Sequence, residues 1–130
     1  MSSENAMYEG SGEYPLSIKA DATKIVPTES VGCATVTIDP LKNDLAWITV
    51  QGADVDKATD SSGVQMEISN GKVKVTRPTT ITFQLSNLSA GTQFAIQAEG
   101  SKDSKSTGKK EIQFAVGSAE DRWGSPEYPL

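Results

Sequence analysis

From residue 16 to residue 116 the chain alternates apolar and polar positions with period two, the spacing of strands that bury one face. Leu16, Ile18 and Ala20 alternate with Ser17 and Lys19, and Ala34, Val36 and Ile38 alternate with Thr35 and Thr37 until Asp39-Pro40 ends the run. Ile81, Phe83 and Leu85 repeat the pattern, as do Phe94, Ile96 and Ala98, and then Ile112, Phe114 and Val116. The stretch Leu45-Ala46-Trp47-Ile48-Thr49-Val50 is apolar on both faces, which predicts a central strand covered from two sides. No window carries the 3.6-residue period of an amphipathic helix. The pattern predicts an all-β chain.

Asn70-Gly71 lies between Val64–Ser69 and Lys72–Thr76. Asn-Gly tolerates the positive φ angles of a type I′ turn, whose twist matches that of the strands it joins. A two-residue loop predicts a hairpin pairing Ser69 with Lys72, Ile68 with Val73, Glu67 with Lys74 and Met66 with Val75. That register collects the four apolar side chains on one face and sets Glu67 against Lys74 on the other. Further breaks fall at residues 39–44, 58–63, 86–91 and 100–108, the last Ser/Lys/Gly-rich and expected to be a long solvated tip. About seven short strands at this spacing predict a Greek-key β-sandwich over residues 14–117, with arms at 1–13 and 118–130.

The segment Asn87-Leu88-Ser89-Ala90-Gly91-Thr92-Gln93-Phe94-Ala95-Ile96-Gln97-Ala98 resembles the E–F corner and F strand of fibronectin type III and bacterial immunoglobulin-like domains. Physically, Leu88 would plug the end of the sandwich, Gly91 would make the turn, and Phe94, Ile96 and Ala98 would point inward. The family usually places at position 94 a tyrosine whose hydroxyl ties the corner. Phe94 has no hydroxyl, so packing alone is expected to hold this corner. The resemblance also implies that Trp47 is the central core tryptophan. It says little about function, because sandwiches carry many unrelated tasks.

Composition narrows the chemistry. The 130 residues are 36% hydrophobic but only 6% aromatic, so one core built mainly from Val, Ile, Leu and Ala is expected. A net charge of -5 with scattered basic residues argues against nucleic acid, which selects a concentrated Lys/Arg face. The local cluster Lys102, Lys105, Lys109 and Lys110 reads as a solvated hairpin tip. The chain contains no histidine, which excludes a Ser-His-Asp triad and His-ligated metals. Cys33, the single cysteine, can form no internal disulfide and reads as a small buried hydrophobe. Asp54, Asp56 and Asp60 are spaced like calcium-binding loop carboxylates but lack the Asp-x-Asp-x-Asp-Gly run. Asn87-Leu88-Ser89 matches a glycosylation sequon and is read as incidental. No catalytic residue and no cofactor is expected, so the chain reads as a non-enzyme.

The termini carry a repeat. Residues 10–16 read Gly-Ser-Gly-Glu-Tyr-Pro-Leu and residues 124–130 read Gly-Ser-Pro-Glu-Tyr-Pro-Leu. Either each copy begins a sandwich in a tandem array, or both are docking peptides. Tyr8, Tyr14, Trp123, Tyr128 and Leu130 are the candidate partner-binding residues, since exposed aromatics anchor interfaces. The opening Met1–Met7 has no basic start and no apolar run, and no stretch approaches the ~20 apolar residues of a membrane span. These features lead to an expectation of a bacteriophage capsid decoration protein, made in the host cytoplasm and attached to the virion through its arms. The alternative is one immunoglobulin-like repeat of a bacterial cell-surface adhesin or carbohydrate-binding protein. The partners expected are a protein assembly, either the capsid or neighbouring domains, with surface glycans as a further class.

Overall fold

The computed structural model describes residues 16–118. Its strands are β1 (Ser17–Lys19), β2 (Lys24–Ile25), β3 (Gly32–Asp39), β4 (Leu45–Gln51) and β5 (Asp54–Asp60), followed by β6 (Gln65–Met66), β7 (Val73–Val75), β8 (Thr79–Ser86), β9 (Gln93–Lys102) and β10 (Lys105–Val116). They form two five-stranded sheets, sheet I in the order β1-β3-β8-β5-β6 and sheet II in the order β2-β10-β9-β4-β7. Ten strands stand where about seven were expected. The strands that alternation did not announce are β2, of two residues, and β5, whose outward positions are acidic and whose register is bulged.

The period-two pattern decides which side chains meet between the sheets. Val36, Ile38, Ile81, Phe83 and Leu85 from sheet I face Ile48, Val73, Val75, Ile96 and Phe114 from sheet II, all at most 2% exposed in one core. Phe94 and Phe114, opposite each other on β9 and β10, stack with centroids 5.0 Å apart and planes at 2°. Leu16 is buried at the head of β1, so the last residue of the first Glu-Tyr-Pro-Leu copy belongs to the apolar core.

Three expectations need correction in the second half of the chain. The Asn70-Gly71 turn forms as expected, with φ of 55° and 77° and paired Ser69–Lys72 backbone hydrogen bonds of 2.9 Å. The hairpin ends there. β6 joins sheet I through Ala58 and Thr59, whereas β7 joins sheet II through Ala46, Trp47 and Ile48. Val73 and Val75 reach the core by pairing with β4, and that burial outweighs a two-stranded ribbon, which is marginal in water. Residues 100–108 are mostly strand, because β9 and β10 continue to a two-residue turn at Asp103-Ser104, both in the left-handed region. Gly100 is buried there. An added Cβ would lie 2.7 Å from Thr107 Oγ1 and 2.9 Å from Asn43 Cγ, so the closed end of the sandwich needs glycine. In the same ladder Lys110 points inward and is only 8% exposed, unlike the solvated lysine expected.

The corner at residues 88–94 has the expected core contacts, with Leu88, Phe94, Ile96 and Ala98 all buried. It is not held by packing alone. Thr92 Oγ1 donates to the Ser89 carbonyl at 2.6 Å, and the Gly91 amide donates to the Val116 carbonyl at 2.8 Å. The threonine thus ties the corner by a different bond from the one a tyrosine hydroxyl would supply.

Candidate binding surface

The two outer faces of the sandwich are chemically distinct. On sheet I the outward positions are mostly short and polar. Thr35 and Thr82, and likewise Thr37 and Thr80, face each other across β3 and β8 with hydroxyl oxygens 3.0 Å apart. Cys33 lies on this side and is exposed, contrary to the buried thiol expected. Because Ala34, Val36 and Ile38 take the inward phase, position 33 must face out with Thr35 and Thr37.

The acidic segment 54–60 is strand β5 rather than a loop, bulged at Asp56. Asp56 accepts from Ser86 Oγ at 3.0 Å, Asp54 accepts from Asn87 Nδ2 at 2.7 Å, and Asp60 accepts from the Ser62 and Val64 amides at 2.8 and 3.0 Å. These carboxylates tie β5 to β8 and close the turn after β5. Among the described residues, no group of three or more His, Cys, Asp or Glu side chains is placed to hold a metal.

Sheet II presents long, charged and aromatic side chains. Since Ala46 and Ile48 face the core, Trp47 faces outward and is only partly buried, which overturns its expected role in the core. It also overturns the reading of β4 as covered on both sides. Register places Lys74, Trp47, Glu99 and Lys109 in one row across β7, β4, β9 and β10. A second row runs through Thr49, Gln97 and Glu111. The ammonium groups of Lys72 and Lys74 each lie 5.9 Å from the Trp47 ring centroid, within range of a cation–π attraction.

Beside this row lies a groove of about 480 Å³. It opens where β6 and β7 part after the Ser69–Lys72 bridge. Trp47, Val64 and Met66 supply its apolar surface, and Glu67, Lys72 and Lys74 its charges. Val64 is 59% exposed, an unusual setting for a large aliphatic side chain next to a tryptophan. Sequence reasoning missed this surface. The signal was available in β4, where Trp47 shares its parity with Thr49 rather than with Ala46 and Ile48.

At the closed end, Asp44 accepts from the Asp103 amide at 2.9 Å and from Lys102 Nζ at 3.3 Å. The amide first, and then the lysine, hold its carboxyl below the ordinary aspartate value. This pair steadies the β9–β10 turn and lines no part of the groove.

The partner-binding candidates Tyr8, Tyr14, Trp123, Tyr128 and Leu130 lie outside the described residues. No helix of the described residues is long and apolar enough to cross a membrane. No protein-family model and no curated protein matches the sequence.

Proposed function

We propose that this protein is a non-catalytic structural and binding module of the immunoglobulin-like kind, with Greek-key connections, acting as an auxiliary decoration protein of a bacteriophage capsid. In this reading the sandwich is a scaffold, made in the host cytoplasm and carried on the virion by segments 1–13 and 118–130. The fold assignment is supported by two five-stranded sheets packed over one apolar core, the architecture such sandwiches share.

The observation that carries the binding reading is Trp47 on an outer sheet face, flanked by two lysines and bordered by a partly apolar groove. An aromatic ring in such a setting is the usual anchor of a recognition surface. The test is mass spectrometry of purified phage particles with copy counting. A fixed stoichiometry of this chain per particle is expected, and its absence from particles would defeat the virion assignment.

The second reading, one repeat of a bacterial cell-surface adhesin or carbohydrate-binding protein, draws on the same face. Trp47 beside Gln97 and Glu99 combines a ring that can stack on a sugar with polar groups that can bond its hydroxyls. Binding to intact bacterial cells that is competed by a soluble glycan would favour it over the virion reading.

A further inference from the structure

The groove beside Trp47 exists because a hairpin is left unfinished. Up to Ser69–Lys72 the chain pairs with itself, and beyond that β6 departs to sheet I. Glu67, the residue a continued hairpin would set opposite Lys74, loses that ladder pairing but still lines the groove. The Lys72 amide and carbonyl face Ser69, on the side of β7 away from β4. Main-chain groups alternate sides along a strand, so those of Lys74 also face away from β4. Among the described residues no strand pairs with that edge of β7. The groove therefore offers a strand edge, an apolar wall and two ammonium groups that outnumber its one carboxylate, Glu67, which suits an extended peptide bearing an acidic and an apolar residue.

We propose that this groove receives the segment Glu127-Tyr128-Pro129-Leu130 of a second copy of the chain, joining copies head to tail. The inference rests on the reading of the terminal segments as docking peptides. Glu127 complements Lys72 and Lys74 on a protein whose net charge is -5. The Tyr128 ring matches the surface of Trp47, Val64 and Met66. A proline fixes its own φ, so a segment containing Pro129 loses less entropy on docking. The first copy of the motif ends at Leu16, which is buried in its own core, so a seat for the second copy is what remains to be assigned.

Geometry favours a neighbouring copy over the same chain. From the end of β10, next to Thr92, to the row of Trp47 is three strands across and seven residues along β9. At about 4.8 Å per strand and 3.4 Å per residue, that separation is about 28 Å. Residues 117–127 span at most about 36–40 Å when fully extended. β10 ends pointing away from the Trp47 row, so a route within one chain must reverse and follow the curved surface, which uses most of that reach, whereas a neighbour meets no such limit. One groove and one tail segment per copy make a heterologous contact, which builds rings or filaments rather than a closed dimer.

The test uses the dilute full chain carrying Trp123→Phe, so that Trp47 is the sole tryptophan, titrated with a synthetic peptide of residues 124–130. Saturable change in Trp47 emission is expected, at least about tenfold weaker in Lys72→Glu/Lys74→Glu. A peptide carrying Glu127→Lys should regain affinity for that variant and lose it for the parent. Sedimentation of the unaltered full chain should show association with rising concentration that the double lysine variant lacks. No response to the peptide at millimolar concentration would overturn the proposal. So would equal binding of a scrambled peptide, or a response to an acidic oligosaccharide but not to the peptide. None of these outcomes bears on whether the chain is found in particles, which is read separately.

Discussion

The outer faces of sheets I and II share one core and one strand alternation, yet they use their outward positions differently. Sheet I pairs threonine with threonine across β3 and β8, and ties its acidic residues to Ser86, Asn87 and nearby amides. Sheet II sets Trp47 beside Lys72 and Lys74 and leaves the edge of β7 bare among the described residues. The first face satisfies its polar groups within the chain, and the second leaves a partly buried ring beside two exposed lysines. A strand pattern fixes which residues face outward, while their use depends on what the neighbouring strands bring alongside.

The sharpest way to break this comparison is to exchange the roles of its aromatics. Phe114→Ala removes a ring that is 1% exposed and stacked on Phe94, and should cost about 3–5 kcal/mol in denaturant unfolding. Trp47→Ala removes a larger ring from the outer face and should cost only about 1 kcal/mol, while abolishing peptide binding. Equal losses of stability would mean that Trp47 belongs to the core after all.

Gly100→Ala comes next in size. Its new Cβ collides with Thr107 and Asn43 at the closed end of the sandwich, and about 1–3 kcal/mol of stability should be lost. Gly100 pairs with Ala46, one residue from Trp47 but not itself part of the groove lining, so peptide affinity measured under folding conditions should hold. Thr82→Val on sheet I removes one hydroxyl pair and should move stability by no more than about 0.5 kcal/mol, again without effect on binding. A binding defect in that variant would mean the wrong face has been assigned.

The smallest effect is expected at Asp44. Its carboxyl is held below the ordinary aspartate value in the folded chain by the Asp103 amide and Lys102, so its contribution is complete at neutral pH. That contribution fades as pH falls through the ordinary aspartate range and then through the lower folded value. The Asp103 amide resonance should follow this titration, and Asp44→Asn should flatten it. The peptide site should show no matching change through Asp44, which contacts a different turn.

Much of the fold was legible because alternation reports burial directly. Val36, Phe83, Ile96 and Phe114 are core residues for the reason their spacing implies. What escaped was pairing. The Asn70-Gly71 turn was readable from its residue types, but not that its two arms would enter different sheets, because that depends on β4 competing for Val73 and Val75. Glu29-Ser30 and Asp103-Ser104 also occupy paired left-handed positions without the Asn-Gly signature, so the first turn went unread and the second was read only as a longer break. The candidate surface was hidden for a similar reason. A tryptophan in an apolar run suggests a core anchor until the parity of its neighbours turns it outward.

The central claim is that specificity resides on sheet II and scaffolding on sheet I. Its most direct test is an amide chemical-shift map of the isotopically labelled full chain, recorded as concentration is raised from the dilute monomer. The account predicts progressive shifts clustered at Trp47, Val64–Glu67 and Lys72–Lys74, with Thr35, Thr37, Thr80 and Thr82 unmoved. Shifts centred on the threonine rows, with the β6–β7 groove silent, would contradict it.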